Sequence, residues 1–211
     1  MKKDWTREEL EKDYVGKMKA FTLPVNYSIS GKQKILDMKE LEEILREAEV
    51  IAQGECDCRT RMGNCIDPMD GCLGIGDEAI EWIEEKKGKR ITVDEALEAM
   101  KRTHDAGLVH MAYIFKGEDK PTWICSCCFC CCHSLSAALR FGYSDHVFSS
   151  KYIATQDSDK CSSCGTCVDR CQFKARELLD DELIYTEEKC FGCGVCVDTC
   201  PEDAIEMVER S

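Results

Sequence analysis

The helical spacing of apolar and polar residues is clearest from Met38 onward, where Met38, Leu41, Ile44, Leu45, Ala48 and Ile51 fall on one face. Asp37-Met-Lys-Glu40 has the form of a capping box ahead of them, and Gly54 is the expected stop. Two further helices are expected: one over 77–87, closed by Gly88, and one over 92–106. The second opens on Thr92-Val-Asp-Glu95, closes at Gly107 and turns Ala96, Leu97, Met100 and Thr103 inward. Leu108–Phe115 and Thr122–Cys125 flank a polar turn at 116–121 and predict a β-hairpin, with a helix over His133–Phe141 after it. At the start, Trp5, Leu10, Tyr14, Val15 and Met18 recur at helix-like spacing among many charges, as in an amphipathic arm docking on the body or a partner, with a frayed terminus as the alternative. From Phe21 to Gln33, the residues Pro24, Asn26, Ser28, Ser30 and Gly31 predict irregular structure.

Eighteen cysteines in 211 residues change this picture. The opening Met1-Lys-Lys-Asp-Trp5 is not signal-like, and no apolar run approaches the roughly 20 residues of a membrane span. The cysteines therefore read as metal ligands of a soluble protein in a reducing cytoplasm rather than as disulfides. No glycine-rich nucleotide motif, Ser/His/Asp set or flavin fingerprint is present, so any substrate would have to be activated by metal or thiol.

Eight cysteines fall into two copies of C-x2-C-x2-C-x3-C: Cys161, Cys164, Cys167, Cys171 and Cys190, Cys193, Cys196, Cys200. Thiolates two residues apart can wrap one corner of an iron–sulfur cubane, with Gly165, Gly192 and Gly194 letting the backbone approach, while the fourth points to the other cluster. On that rule Cys161, Cys164, Cys167 and Cys200 hold one cluster and Cys190, Cys193, Cys196 and Cys171 the other. Zinc also takes four cysteines, but a zinc ribbon separates two C-x2-C knuckles by a loop and needs no third and fourth cysteine at fixed short offsets. A constant shift of 29 residues superimposes the stretch from Asp159 to Ala175 on that from Glu188 to Ala204, as a duplicated half-domain would. Residues 151–211 resemble the dicluster bacterial ferredoxin family. The resemblance implies two [4Fe-4S] clusters, a pseudo-twofold α+β fold and one-electron transfer. The family's proline after the fourth cysteine is present as Pro201 but is Gln172 after Cys171.

The other ten cysteines form two groups. Cys56, Cys58, Cys65 and Cys72 lie in a glycine-rich, loop-forming segment, and Cys125, Cys127, Cys128, Cys130, Cys131 and Cys132 run into His133 at the end of the hairpin. If the run were extended, Cys125 and Cys127 would share one face and Cys128, Cys130 and Cys132 the other. Phe129 excludes a c-type haem motif, and the radical-SAM triplet is absent. The expectation is at least one additional iron–sulfur cluster within 50–135, shared by both groups, with zinc or free thiols as the alternative. The whole chain is similar to a loose group of iron–sulfur proteins of anaerobes with a Cys-x-Cys-Arg and a Cys-Cys-x-Cys-Cys-Cys element before a dicluster ferredoxin. His104 and His110 read as surface or satisfied residues, and His133 as the one histidine with a claim to an iron.

The fold class expected is α+β: a mainly helical cysteine-rich front domain with a β-hairpin over 1–150, including an arm over 1–33, then a pseudo-twofold ferredoxin-like domain over 151–211. Net charge is −13, and 151–211 carries seven Lys/Arg against fourteen Asp/Glu. Such a surface repels nucleic acid and either steers toward a redox protein with a basic docking face or merely keeps the chain in solution. Three functions remain open from sequence: an electron-transfer protein or oxidoreductase subunit, an enzyme acting at a front cluster or paired thiols, and a redox or iron sensor.

Overall fold

The computed structural model describes residues 3–24, 26–30, 33–143 and 145–210. Its helices are α1 (Arg7–Asp13), α2 (Lys39–Glu47), α3 (Asp57–Met62), α4 (Asp77–Glu84), α5 (Val93–Asp105), α6 (His133–Phe141) and α7 (Thr166–Arg170). The strands of the front part are β1 (Met18–Thr22), β2 (Asn26–Ser30), β3 (Gln33–Asp37), β4 (Ile51–Gly54), β5 (Cys72–Ile75), β6 (Gly88–Arg90), β7 (Val109–Phe115), β8 (Trp123–Cys127) and β9 (Val147–Phe148). Those of the C-terminal part are β10 (Tyr152–Gln156), β11 (Arg176–Leu179), β12 (Glu182–Tyr185) and β13 (Ile205–Glu209).

Seven front strands form one sheet in the order β6-β4-β5-β8-β7-β1-β9, antiparallel except for the parallel pair β1 and β9. This corrects the expectation of a mainly helical front part. The predicted hairpin is there as β7 and β8, but it is the middle of a sheet. The other strands were hidden because they are only two to five residues long, too short to show an alternating pattern, and β4, β5 and β6 also carry Gly. Residues 18–22 of the expected arm are an inner strand, and part of the stretch expected to be irregular pairs as the hairpin β2–β3. Gly31, named in that expectation, lies outside the described residues.

Two helix ends also differ. The helix after Asp37 starts at Lys39 with Met38 at its N-cap and no side-chain cap, and it stops at Glu47. Ile51, assigned from sequence to the helix face, instead pairs with Ile75 in the sheet. Gly54 is a strand residue on which the Trp82 ring lies; a Cβ there would sit 2.6 Å from that ring and from Lys87 O. Gly88 begins β6 rather than ending the helix before it.

The sheet separates two environments. On one face α2 and α5 bury Leu41, Leu45, Ala96 and Met100 against Leu73, Ile75, Ala112 and Ile124. Thr103 of α5 meets Ser126 of β8 on that side, Oγ1 to Oγ 2.7 Å, and His110 Nδ1 lies 3.1 Å from the same hydroxyl. His104 and His110 are thus buried rather than surface residues. Strand alternation turns Cys125 and Cys127 to the opposite face, where Met111, Tyr113, Cys132, Leu135 and Val147 pack. No helix among the described residues is long and apolar enough to cross a membrane.

The capping box read at Thr92 is present: Glu95 N donates to Thr92 Oγ1 at 3.2 Å and Thr92 N to Glu95 Oε2 at 2.7 Å. Because α5 closes the apolar face of the sheet, Thr92→Ala should lower unfolding stability by about 1 kcal/mol. Anaerobic denaturant titration checks this, with no change in iron content expected.

Candidate metal centres

In the C-terminal part, Cys161, Cys164, Cys167 and Cys200 line one small cavity with Leu183, Pro201 and Ile205. Cys171 lies within electrostatic reach of Cys193 and Cys196, as does Cys190. The 29-residue repeat is visible in the geometry. Ala175 N donates to Cys171 Sγ at 3.2 Å, and Ala204 N donates to Cys200 Sγ at 3.3 Å. Gly192, between Cys190 and Cys193, has φ +67, and a Cβ there would lie 2.0 Å from Tyr152 O, so only glycine fits. The two sets differ in depth. Cys164 is exposed and its thiol is held down by a hydrogen bond from Thr166, whereas burial pushes Cys193 well up.

The ten front cysteines separate into two sets, each drawing on both sequence groups. Six of them, Cys56, Cys58, Cys72, Cys125, Cys127 and Cys132, line a cavity of about 410 Å³ that Cys128 and Cys131 of the second set also border. β5 and β8 place Cys72 opposite Cys125 in register. Each thiol in the series Cys125, Cys72, Cys56, Cys58, Cys132 and Cys127 acts on the titration of its neighbour, and Cys127 feels the charge of Cys125, which closes a ring. Hydrogen bonds from Cys58 and Cys72 hold Cys56 at about 3, while Cys58, Cys72 and Cys127 are pushed up. The ring also surrounds a cation. Arg59 is buried, donates from Nη1 to Ser126 O at 2.8 Å, and leaves Nε and Nη2 without a hydrogen-bond partner among the described residues. Unmatched guanidinium donors are costly to bury, and sulfur atoms of an anionic cluster inside the ring would satisfy them. The donor set therefore fits an iron–sulfur centre.

The remaining four, Cys65, Cys128, Cys130 and Cys131, form a knot in which all four Sγ atoms lie within 4.8 Å of one another. The expected alternation along Cys125–Cys132 fails after Cys127. There the chain leaves the strand and turns, with Cys131 N and Cys132 N both donating to Cys128 O, so that Cys132 rejoins Cys127 in the ring. His133 stacks on Tyr14 at a centroid distance of 3.8 Å and borders the cavity with Nδ1 3.1 Å from Ser134 Oγ.

A family model described as a 4Fe-4S binding domain matches residues 154–177 and 183–206. Residues 154–206 are a ferredoxin-type 4Fe-4S domain. Its two repeats provide for up to two 4Fe-4S clusters. A comparison with curated proteins finds no match. The ferredoxin-type cysteines form no group as compact as the knot among the described residues, as befits thiolates on separate irons.

The ferredoxin-type domain lies on the sulfur face of the sheet. Phe173 and Val195 pack into one core with Cys127, Cys132 and Leu135, and Cys171, Cys193 and Phe191 border it. Gln172, in place of the proline, is the bridge. Phe129 N donates to its Oε1 at 2.8 Å, and its Nε2 donates to Gly107 O at 3.1 Å. A proline would supply neither.

Arg176 was not singled out from sequence. It is buried and donates to Gln156 Oε1 at 2.7 Å and Ala154 O at 3.2 Å. Burial raises both Cys167 and Cys196, the latter to about 12, and the Arg176 guanidinium opposes the rise in both. The repeat itself held the signal, because Ile205 occupies the equivalent position 29 residues on. A cation beside a centre favours its reduced, more negative form. Arg176→Met should therefore shift the reduction potentials of both 4Fe-4S clusters to more negative values in an anaerobic redox titration. Unchanged potentials would show that neither cluster feels this charge.

Proposed function

We propose that the chain is an iron–sulfur electron-transfer protein, or a subunit of an oxidoreductase, that relays single electrons between a redox partner and an iron–sulfur centre held by the six-thiol ring. The two 4Fe-4S clusters of the ferredoxin-type domain form the relay. Cys161, Cys164, Cys167 and Cys200 hold the outer cluster; Cys190, Cys193, Cys196 and Cys171 hold the inner one. The observation that carries this reading is the shared core in which Cys171 and Cys193 border the same side chains as the ring residues Cys127 and Cys132. Through that shared core an electron on the inner cluster would have the front centre as its neighbour.

The outer set supplies the partner end. Cys164 is exposed there, and the β11–β12 hairpin beside it leaves Leu178, Leu179 and Ile184 on the surface. With its excess of acidic residues, this domain favours a partner presenting a basic face with an apolar centre.

A second reading is favoured by the cavity itself. Beyond the thiols it is bordered by Tyr113, Trp123 and His133 and by the charged Glu55, Asp57, Arg59 and Glu78, and a pocket that combines aromatic walls with charged groups also suits a small polar substrate reduced at the front centre. Both readings require iron in the ring.

Anaerobic iron and sulfide analysis should accordingly give more than two cubanes supply, and Cys127→Ala with Cys132→Ala should remove the excess while leaving the ferredoxin-type signals. Iron equal to two cubanes in the unaltered protein would overturn the relay. The ligand crossing has its own measurement. Paramagnetic resonance of the reduced protein should show Cys171→Ala perturbing the same cluster as Cys193→Ala, and a Cys171→Ala spectrum matching that of Cys164→Ala would refute it.

A further inference from the structure

The ten front cysteines need not serve one centre, and their spacing divides them. In the knot, Cys65 Sγ is 3.8 Å from both Cys128 Sγ and Cys131 Sγ, and Cys130 Sγ is 3.7 Å from Cys131 Sγ. A single tetrahedral ion with metal–sulfur bonds of about 2.3 Å places its four thiolates about 3.8 Å apart. A cubane cannot use so tight a set, since each thiolate must reach a different iron. Neither the ring nor the ferredoxin-type sets form such a compact group among the described residues.

We propose that Cys65, Cys128, Cys130 and Cys131 form a closed tetrahedral site for one zinc ion, separate from the iron–sulfur centre of the ring. The proposal rests on the reading above only for the content of the ring. Four thiolates leave no position for water or substrate, which is the donor set of a structural rather than a catalytic zinc site. The two sites adjoin without sharing a ligand, although Cys128 and Cys131 also border the cavity and Arg59 Nη1 lies 4.0 Å from Cys128 Sγ.

The surroundings show what the ion would hold together. Residues 63–71 contain no helix or strand, and 128–132 is the turn between β8 and α6. Asn64 Nδ2 donates to Cys130 O and to Lys3 O, both at 2.8 Å, and Trp5 Nε1 donates to Cys131 O at 2.8 Å. Three chain segments without a common sheet ladder therefore meet at the four sulfurs. An ion bound there fixes the turn that delivers Cys132 to the ring and the loop between Cys58 and Cys72. Zinc has no redox chemistry of its own, so it can do this beside an electron-carrying centre without becoming part of the path.

The test uses the full chain prepared anaerobically, with zinc, iron and sulfide counted per chain. One zinc is expected in the unaltered protein. Cys65→Ser and Cys130→Ser should each lose the zinc and keep the iron and sulfide, while Cys127→Ala should lose iron and keep the zinc. Protein produced with cobalt in place of zinc should show the visible d–d bands of a tetrahedral four-thiolate site, a readout that holds even if the serine variants do not fold. Absence of zinc with loss of iron in Cys65→Ser would overturn the proposal by making the knot part of the cluster site. Mononuclear iron or free thiols in the knot would overturn it equally. Failure of the relay reading alone would appear as one zinc with only the iron of two cubanes.

Discussion

Everything on the sulfur face depends on the two-sidedness of β8 at the centre of the sheet. Successive side chains of a strand point to opposite faces, so Ile124 and Ser126 are committed to α5 while Cys125 and Cys127 are committed to the other side. The apolar face holds this register, because a slip of one residue would bury thiols under α5 and expose Ile124. The neighbouring strand adds Cys72 opposite Cys125, and the turn into α6 adds Cys132. The helical layer thus decides where the sulfurs point, and α5 also meets the ferredoxin-type domain, with His104 Nε2 3.6 Å from Asp198 Oδ2 and Asp105 O accepting from Arg170 Nη1 at 3.2 Å.

Buried cations are the second constraint. Arg59 and Arg176 are each almost fully enclosed, and each is surrounded by thiols. A buried guanidinium is tolerated where negative charge and acceptors surround it. Clusters ligated by thiolates provide both, which makes the folded state of this protein dependent on what its cysteines bind. Arg176 satisfies part of its need with Gln156 and Ala154, whereas Arg59 has only Ser126 O and the sulfurs. The front part is accordingly the region whose packing would depend more on a bound metal centre.

The internal repeat explains the C-terminal fold, and the departures from it explain how that fold is used. Where the two halves agree, as in the amide bonds to Cys171 and Cys200, they build equivalent cluster sites. Gln172 and Arg176 differ from Pro201 and Ile205. The first joins the domain to Gly107 and Phe129 of the front part, and the second places one positive charge between the two sets. The two halves are thereby unequal, with Cys164 exposed in one and Cys193 pushed well up by burial in the other.

The ferredoxin-type motifs, the repeat, the Thr92 capping box, the hairpin and the α6 helix were all legible in the sequence, because each is a local pattern of a few residues with its own physical cause. The seven-stranded sheet was not, since most of its strands are too short to show an alternating pattern and are stabilised by partners far away in the chain. Cys58 and Cys65 are near neighbours in sequence yet belong to different sets, and Cys131 and Cys132 are adjacent yet part in the same way. Sequence alone thus determined that the chain carries a ferredoxin-type pair of cysteine motifs, where that pair lies, and that ten further cysteines fall outside it. Only the tertiary structure decided which of the other ten meet, because that depends on strand register and on one turn at Cys128, neither of which is encoded in the spacing of the cysteines themselves.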